Sequence, residues 1–208
     1  MNVLVVAPHP DDDAIGCGGT ICLHAERGDR VTVVFLTSGE LGLKHLPREE
    51  ARRIREQEAE RAGEVLRVSS ISFLRYPDWY LNTCVDAAAF TLGPILSREA
   101  PELLYLPHEH ETHPDHRASL SIVRAALAVA KGERPTLLTY EVWTPLPDYY
   151  HVENVTPVMR TKLAAIRCHA SQTVQLPYSR AVVGLNLYRG ATAGACTYAE
   201  IFQTASVQ

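Results

Sequence analysis

The sequence predicts an α/β fold, in which helices cover a mostly parallel sheet. Strand-like and helix-like segments alternate along the 208 residues, which is the order that βαβ units produce. The strand-like runs are continuously apolar and rich in β-branched residues, as is typical of strands buried on both faces. Polar clusters follow four of these strands at residues 9–13, 37–40, 77–79 and 108–116. Ligands bind at the carboxyl edge of such sheets, so these clusters also predict where the functional site lies.

Three strand-like segments in the first half of the chain are each followed by a helix-like segment. The strands are predicted over residues 2–7, 30–37 and 71–76, and the helices over residues 16–27, 47–66 and 86–99. Gly28-Asp29 is suited to ending the first helix. Pro47 fits the first turn of the second helix, whose many charges recur at helical spacing.

The second half of the chain continues the alternation and then becomes less regular. Strands are predicted over residues 103–107 and 136–143, and helices over residues 114–131 and 159–170. The remainder reads as loop-rich up to a last segment at residues 198–204. The chain contains no repeat, low-complexity tract or linker, so we expect one domain spanning residues 1–208.

Composition excludes several functional classes. The formal net charge of -4 comes without a basic stripe, so nucleic acid is not an expected partner. No apolar run reaches the roughly 20 residues that span a bilayer, and the N-terminus lacks the features of a signal peptide. The five cysteines are scattered and form no CxxC pair, which argues against a disulfide framework. A reducing, cytoplasmic location is therefore expected.

Four ionisable side chains crowd the end of the first predicted strand: His9, Asp11, Asp12 and Asp13. Carboxylates this close repel one another at neutral pH unless a cation or a shared proton neutralises them. A bound metal is the simplest neutraliser. The fourth predicted strand ends in a second polar run, at residues 108–116. Both runs are expected at the same edge of the sheet.

Metal-assisted hydrolysis is the chemistry that these residues suit best. Catalytic zinc commonly takes three histidine or carboxylate ligands and leaves one position for water. His9, Asp12 and one histidine from residues 113–116 would provide that set. The metal would acidify the water and polarise a carbonyl. A neighbouring carboxylate would take the proton, and another histidine would stabilise the developing charge or protonate the leaving group.

Other classes fit the same residues less well. A nucleotide-binding domain is suggested by Gly16-Cys-Gly-Gly19, but Ile21 replaces the last glycine of G-x-G-x-x-G and the carboxylates would repel a pyrophosphate. Nucleophilic serine catalysis lacks a G-x-S-x-G elbow. A noncatalytic metal binder would not need free proton-transfer groups, and Asp11 and His113 argue mildly against it.

The two polar runs resemble the motifs of the LmbE-like, or PIG-L, family of zinc-dependent de-N-acetylases. Ala7-Pro-His-Pro-Asp-Asp-Asp13 is similar to a (P/A)HPDD(E) motif after strand one, and His113-Pro-Asp-His116 matches an HxDH motif after strand four. Weaker similarities are a TxGE element at 37–40, a (F/Y)PD turn at 76–78, a (K/R)SQ-like segment at 170–172 and an AExF segment at 199–202. One departure is Asp13, which stands where the motif usually has glutamate.

The resemblance implies a Rossmann-like, three-layer α/β/α fold with a mostly parallel sheet. It implies zinc ligands at His9, Asp12 and His116. Asp11 would be the general base that activates water, and His113 would be the electrophilic or acid partner, held by Asp115. The reaction would be hydrolysis of an N-acetyl group from a small N-acetylated amino sugar, usually a GlcNAc unit. Fe²⁺ could occupy the same two-histidine, one-carboxylate set in place of Zn²⁺.

Four further residues are candidate substrate contacts. Glu40 suits either a helix start or a sugar hydroxyl, and Arg52 lies on a charged helix face from which it could reach a substrate. Asp78 and Trp79 either close a turn or line the pocket, where the indole could stack on a sugar ring. Two alternatives stay open: an amide hydrolase acting on another N-acyl group, and a noncatalytic metal or sugar binder. A homo-oligomer is compatible with the sequence.

Overall fold

A computed structural model describes residues 1–206, and it contains one seven-stranded sheet between two layers of helices. The strands are β1 Asn2–Ala7, β2 Arg30–Thr37, β3 Ser70–Tyr76, β4 Leu103–Pro107, β5 Thr136–Tyr140, β6 His151–Asn154 and β7 Ala199–Ala205. The helices are α1 Asp12–Glu26, α2 Arg48–Leu66, α3 Val85–Glu99, α4 Pro114–Val129, α5 Met159–Cys168, α6 Ala170–Thr173 and α7 Tyr178–Arg189.

The sheet has the strand order β3-β2-β1-β4-β5-β7-β6. The five strands from β3 to β5 are parallel, whereas β7 runs antiparallel to both of its neighbours. The chain fills one side of β1 with β2 and β3, and then crosses to the other side with β4. The switch point of the topology therefore lies between β1 and β4, where α/β sheets bind ligands. The predicted mostly parallel α/β/α architecture is confirmed.

The alternation of side chains along β1 explains why both faces of the sheet carry helices. Val3 and Val5 belong to a core formed with α1, α2, α5 and α7. Leu4 and Val6 belong to a second core formed with α3 and α4. Successive side chains of a strand point to opposite faces, so a continuously apolar strand must be covered on both sides.

Two predicted boundaries differ from the structure at places that matter for the site. Helix α1 begins at Asp12 and not at Gly16. Its first turn therefore contains Asp12 and Asp13, where the helix dipole favours acidic side chains. Strand β5 ends at Tyr140 and not at residue 143. Beyond Tyr140, the backbone N–H groups of residues 142–144 bind the Glu111 carboxylate, so they make no strand ladder there.

The region predicted to be loop-rich contains most of α6 and all of α7, and strand β6 lies between the predicted strand at 136–143 and the predicted helix at 159–170. The residues of α7 include Gly184, and its apolar side chains lie on more than one face. Val182 is buried, whereas Leu187 is 47% exposed. A helix without a single apolar stripe gives a weak periodic signal, and this explains why α7 was missed.

Close packing at the start of α1 depends on two of its glycines. A Cβ at Gly16 would lie 2.2 Å from Tyr140 Cδ2, and one at Gly19 would lie 2.5 Å from Val155 Cγ1. The helix is also kinked at Cys17, which has non-helical φ and ψ angles of -136° and 22°. The glycine cluster thus permits close approach between helix and sheet, as its position after β1 predicts.

Within residues 1–206, no helix is both long and apolar enough to cross a membrane.

Candidate active site

A cavity of about 570 Å³ opens at the carboxyl edge of the sheet, at the switch point between β1 and β4. It is lined by His9, Asp11, Asp12, Gly39, Leu41, Gly42, Lys44, His45, Arg55, Asp78, Trp79, His113, Trp143, Gln172, Gln175, Leu176 and Tyr178. The loop after β1 and the first turn of α1 form one wall, and the loop after β4 forms another. The two polar runs of the sequence therefore meet, as expected from the parallel strands.

Three potential metal-binding atoms form a closed triangle at the wall of this cavity, where His9 and Asp12 belong to the lining and His116 is fully buried. Asp12 Oδ2 lies 3.0 Å from His9 Nδ1 and 3.2 Å from His116 Nε2, and the two nitrogens are 3.3 Å apart. Zinc binds nitrogen and oxygen at about 2.0–2.1 Å, which makes the edge of a tetrahedral ligand set about 3.3 Å. The triangle therefore has the dimensions of one face of a tetrahedral site. All three side chains are buried.

Two other groups at the same place have ligand atoms within 4.8 Å of one another: His9, His113 and His116, and also His9, Asp78 and Asp115. The second group surrounds the other ring nitrogen of His9. Its Nε2 lies 3.2 Å from Asp78 Oδ1 and 3.2 Å from Asp115 Oδ2. Most carboxylate oxygens of that group already accept backbone N–H groups: both of Asp115 and Oδ2 of Asp78. The site can hold a metal ion, with His9 common to every candidate ligand set.

The charged groups of this cluster shift one another's pKa. Burial raises the pKa of a carboxylate, but the facing His116 and His9 outweigh it and lower the pKa of Asp12. Burial lowers the pKa of His116, but Asp12 and Glu111 outweigh it and raise that pKa to about 9. Histidine binds a metal only in its neutral form, so a cation at the triangle would displace these protons.

Asp11 lies beside the triangle in an unusual backbone conformation. Its φ of 140° is rare for a residue with a side chain. Its backbone is held on both sides, because Arg55 Nη2 donates to Pro10 O at 2.6 Å and the Asp11 carbonyl accepts the Ile15 N–H at 2.9 Å. Strained residues of this kind cluster at functional sites. Burial raises the pKa of Asp11 to about 6, with Arg55 opposing the rise.

His113 presents its protonated nitrogen away from its own helix. It is the N-cap residue of α4, and its Nδ1 accepts the Asp115 backbone N–H at 3.2 Å. The proton of the neutral ring must therefore be on Nε2. Burial, followed by the charge of His9, lowers the pKa of His113 to about 4. The ring lines the cavity and lies 4.6 Å from the His9 ring, between centroids.

Asp115 does not hold His113 through its carboxylate, and this corrects the expectation from the sequence. The carboxylate lies 3.2 Å from His9 Nε2 and accepts the backbone N–H groups of Trp79 at 2.7 Å and Leu81 at 3.0 Å. Residues two apart at a helix start point in different directions. His113 is held instead by the backbone of Asp115, and the side chain orients His9 and the 78–81 loop.

Glu111 connects the loop after β4 with the loop after β5. Its carboxylate accepts the backbone N–H groups of Val142 at 2.8 Å, Trp143 at 3.0 Å and Thr144 at 3.3 Å. Its Oε2 also lies 3.7 Å from His116 Nδ1, a buried atom without a hydrogen-bond partner among residues 1–206. Carboxylates commonly orient metal-binding histidines from this side. The sequence placed Glu111 in a polar loop but gave no sign of this role.

Of the four candidate substrate contacts, two line the cavity, one is buried behind them and one lies on the outer surface. Asp78 and Trp79 line the cavity, and the Trp79 ring is half exposed and 4.4 Å from the His113 ring. Glu40 is buried behind them, where its Oε1 accepts the Asp78 N–H at 3.4 Å. The structure does not bring Arg52 to the cavity. Arg52 pairs with Glu49 on the outer surface of α2, at an N–O distance of 3.0 Å.

Arg55, and not Arg52, is the arginine of α2 that lines the cavity. Only 3% of its side chain is exposed, and its Nη2 lies 3.3 Å from Asp11 Oδ1. Sequence reasoning did not select it, because both residues belong to one charged run on α2 and a single sequence does not show which face is inward. Gln172 and Tyr178 also line the cavity from the region predicted as loop.

Comparison with known proteins agrees with this geometry. The PIG-L family model, described as GlcNAc-PI de-N-acetylase, matches residues 4–127. A Bacillus cereus protein named "Probable N-acetyl-alpha-D-glucosaminyl L-malate deacetylase 2" is 34% identical over 185 residues, covering 83% of this chain and 84% of that protein. Diacetylchitobiose deacetylase of Thermococcus kodakarensis is 30% identical over 217 residues, covering 93% and 79%.

A solved structure of a deacetylase is similar to this chain over almost its whole length. The structure of N,N'-diacetylchitobiose deacetylase from Pyrococcus horikoshii, in complex with an inhibitor, has a TM-score of 0.86 and 27% identity. The alignment covers 99% of this chain and 84% of that chain.

One relative has a different activity. The 4-oxalmesaconate hydratase of Pseudomonas putida is 28% identical over 195 residues, covering 82% of this chain and 74% of that protein. Similarity at this level therefore does not by itself fix the reaction. The family model and the two deacetylase relatives together establish that this chain belongs to the PIG-L family.

Proposed function

We propose that this protein is a zinc-dependent hydrolase that removes the N-acetyl group from a small GlcNAc-containing molecule. The observation that carries the proposal is the closed triangle of His9, Asp12 and His116 at the wall of one cavity, with Asp11 beside it in the lining. A noncatalytic metal site would not need a strained, buried carboxylate next to its ligands. Deacetylase activity in the relatives supports the same reaction class.

We assign the metal ligands to His9 Nδ1, Asp12 Oδ2 and His116 Nε2. The edges of this triangle suit a tetrahedral ion. Asp12 Oδ2 accepts one backbone N–H, that of His9 at 2.9 Å, whereas both oxygens of Asp115 and Oδ2 of Asp78 accept backbone N–H groups. His9 Nε2 then donates to Asp115 or Asp78, and His116 Nδ1 faces Glu111, which fixes both rings. When bound, zinc supplies a Lewis acid that polarises the acyl oxygen and acidifies water. Fe²⁺ would suit the same donors.

Asp11 is the general base in this scheme. Its Oδ1 lies 3.3 Å from Arg55 Nη2, which leaves Oδ2 to take the proton of the attacking water. A carboxylate with a raised pKa near 6 is ionised at neutral pH and is a better base than an ordinary aspartate. Arg55 also holds the backbone next to Asp11, because its Nη2 donates to Pro10 O.

His113 stabilises the negative charge that develops on the acyl oxygen. Its Nδ1 is occupied by the Asp115 N–H, so Nε2–H is its remaining donor. That donor serves the oxygen of the acyl group as negative charge develops there. The C–N bond then breaks, the hydroxyl of water stays on the acyl carbon, and the proton taken by Asp11 reaches the leaving nitrogen. The products are acetate and a free amine.

The remaining walls suit a sugar. The half-exposed Trp79 indole offers a flat apolar face beside His113, and Asp78 and Arg55 offer polar groups deeper in the cavity. A cavity of about 570 Å³ accommodates a monosaccharide with a substituent. The exposed residues Lys44, His45 and Gln175 make the outer part polar, as a hydroxyl-rich ligand requires.

The experiment that tests the function measures acetate released from GlcNAc, N,N'-diacetylchitobiose and N-acetylglucosaminyl malate, together with bound metal. We expect stoichiometric acetate and amine, loss of activity on chelation and recovery with Zn²⁺. Asp11→Asn should retain the metal but lose about a thousandfold in kcat. Asp86→Asn, an exposed aspartate on α3, is the matched control and should change neither.

Three outcomes would contradict the proposal. Full activity in excess chelator without bound metal would remove the metal mechanism. Metal binding without release of any acyl group would favour a noncatalytic binder. Addition of water to 4-oxalmesaconate without any amide hydrolysis would assign the chain to the hydratase chemistry of its Pseudomonas putida relative.

A further inference from the structure

We infer that a second cavity next to the active site receives the acyl chain of the substrate, so that the enzyme accepts N-acyl groups longer than acetyl. This inference rests on the proposed function, because it extends the substrate of the same site. The second cavity has a volume of about 230 Å³ and lies between α1, α7 and the loop after β5. Its lining is mostly aliphatic, and it includes Ile15, Pro145, Val182 and Leu185.

The two cavities meet at two aromatic rings. Trp143 and Tyr178 line both of them, and their ring centroids are 5.5 Å apart. Rings at this separation are in contact, so one aromatic pair separates the two cavities, and the proposed acyl chain enters the second cavity where these rings move apart. The Trp143 backbone is held by Glu111, which fixes one side of the passage.

The second cavity also lies close to the proposed metal ligands. Asp12 lines the first cavity, whereas Ile15 and Gly16 line the second. Residues three and four apart share one face of a helix, and one helical turn is about 5.4 Å long. The entrance is therefore about one turn of α1 from Asp12, a span that a chain of a few carbon atoms bridges.

The carboxylates and the amide oxygen in the wall of the second cavity already have partners. Glu141 accepts the Leu146 N–H at 2.7 Å and pairs with Arg189. Asn186 Oδ1 and Glu200 Oε1 both accept from Lys162, at 2.9 Å and 2.6 Å. A hydrogen-bond donor on the ligand would find these acceptors occupied, whereas an alkyl group would bury its surface without displacing a hydrogen bond. The wall therefore selects for an apolar occupant.

The chemistry at the acyl carbon decides which part of the substrate this is. That carbon carries two substituents, the amine with its sugar and the acyl chain. The first cavity supplies the polar groups that a sugar needs, including Arg55, Asp78 and Gln172. The apolar cavity then remains for the opposite substituent, the acyl chain. Each methylene that enters it should improve KM by about fourfold.

The test compares N-acetyl-, N-butyryl- and N-hexanoyl-glucosamine as substrates of the zinc-loaded enzyme. We expect kcat/KM for the butyryl and hexanoyl compounds to equal or exceed that for the acetyl compound. Ala181→Trp, which fills the second cavity, should lower the hexanoyl-to-acetyl ratio at least tenfold. Leu185→Trp is a second filling variant in case the first folds poorly. Leu187→Trp, an exposed position on the same helix, should leave the ratio unchanged.

The outcomes separate this inference from the proposed function. Failure to hydrolyse any of the three compounds would count against the function itself. Hydrolysis of the acetyl compound with a lower kcat/KM for both the butyryl and the hexanoyl compound would overturn the acyl pocket alone. A hexyl glycoside of GlcNAc provides the last arm. If its KM, and not that of the N-hexanoyl compound, responds to Ala181→Trp, the cavity binds the aglycone and the inference is wrong.

Discussion

Two buried polar clusters contact helix α1, and they differ in how completely their hydrogen bonds are satisfied. The support cluster consists of Glu200, Lys162 and Asn186. Glu200 accepts the N–H groups of Gly19 and Thr20, both at 2.8 Å, and pairs with Lys162 Nζ at 2.6 Å. These N–H groups follow the kink at Cys17, where a helix start needs acceptors.

The site cluster consists of His9, Asp12 and His116. Its atoms face one another at distances of 3.0–3.3 Å without closing a full hydrogen-bond network, and His116 Nδ1 has no partner within hydrogen-bond distance in residues 1–206. Such a cluster costs stability unless something binds to it. The comparison teaches that burial and charge do not mark a site by themselves. The site cluster is marked instead by three ligand-type atoms that converge beside a cavity.

The sharpest test of the support cluster is Glu200→Gln. Removing the charge leaves Lys162 buried without a counter-ion and places an N–H₂ group against N–H donors. We expect the free energy of unfolding to fall by about 3–5 kcal/mol, measured by urea denaturation. The metal content of the folded protein should not change. Glu60→Gln, an exposed position on α2, is the control. A loss below 1 kcal/mol would remove Glu200 from the structural role.

The corresponding test of the site cluster is His116→Ala. We expect zinc affinity to fall at least a hundredfold, about 2.7 kcal/mol, measured by competition with a chelating dye. Zinc should raise the Tm of the parent protein by linkage but not that of the variant. His151→Ala, a partly exposed histidine on β6, should behave like the parent. A full complement of tightly bound zinc in His116→Ala would contradict the ligand assignment.

Glu111→Gln should have a smaller effect, which falls on both metal affinity and substrate binding. The amide presents an N–H₂ group to backbone donors or to His116, so we expect about a tenfold loss in metal affinity and a higher KM through the Trp143 loop. Glu99→Gln provides a buried control at the amino edge of the sheet, bonded to Thr32. Equal stability losses in both variants with unchanged metal affinity would leave Glu111 a purely structural role.

Much of the fold and the centre of the site could be predicted from the sequence. The strands β1, β2 and β4 and their polar ends were read correctly, because a strand buried on both faces has a continuous apolar signature. Helix α7 was not predicted, because it lacks one apolar face. Strand β6 was not predicted either, because it has four residues and only one of them is apolar. Tyr178, which begins α7 and lines both cavities, was missed for the same reason as α7.

The sequence by itself indicated the proposed donor set and the edge of the sheet at which it gathers. His9, Asp12 and His116 follow two strands whose parallel order brings their ends together. Only the tertiary structure decided that Asp115 faces His9, that Glu111 faces His116, and that Arg55 and not Arg52 enters the cavity. These choices depend on side-chain direction and on contacts between distant segments, which local patterns in one chain do not encode.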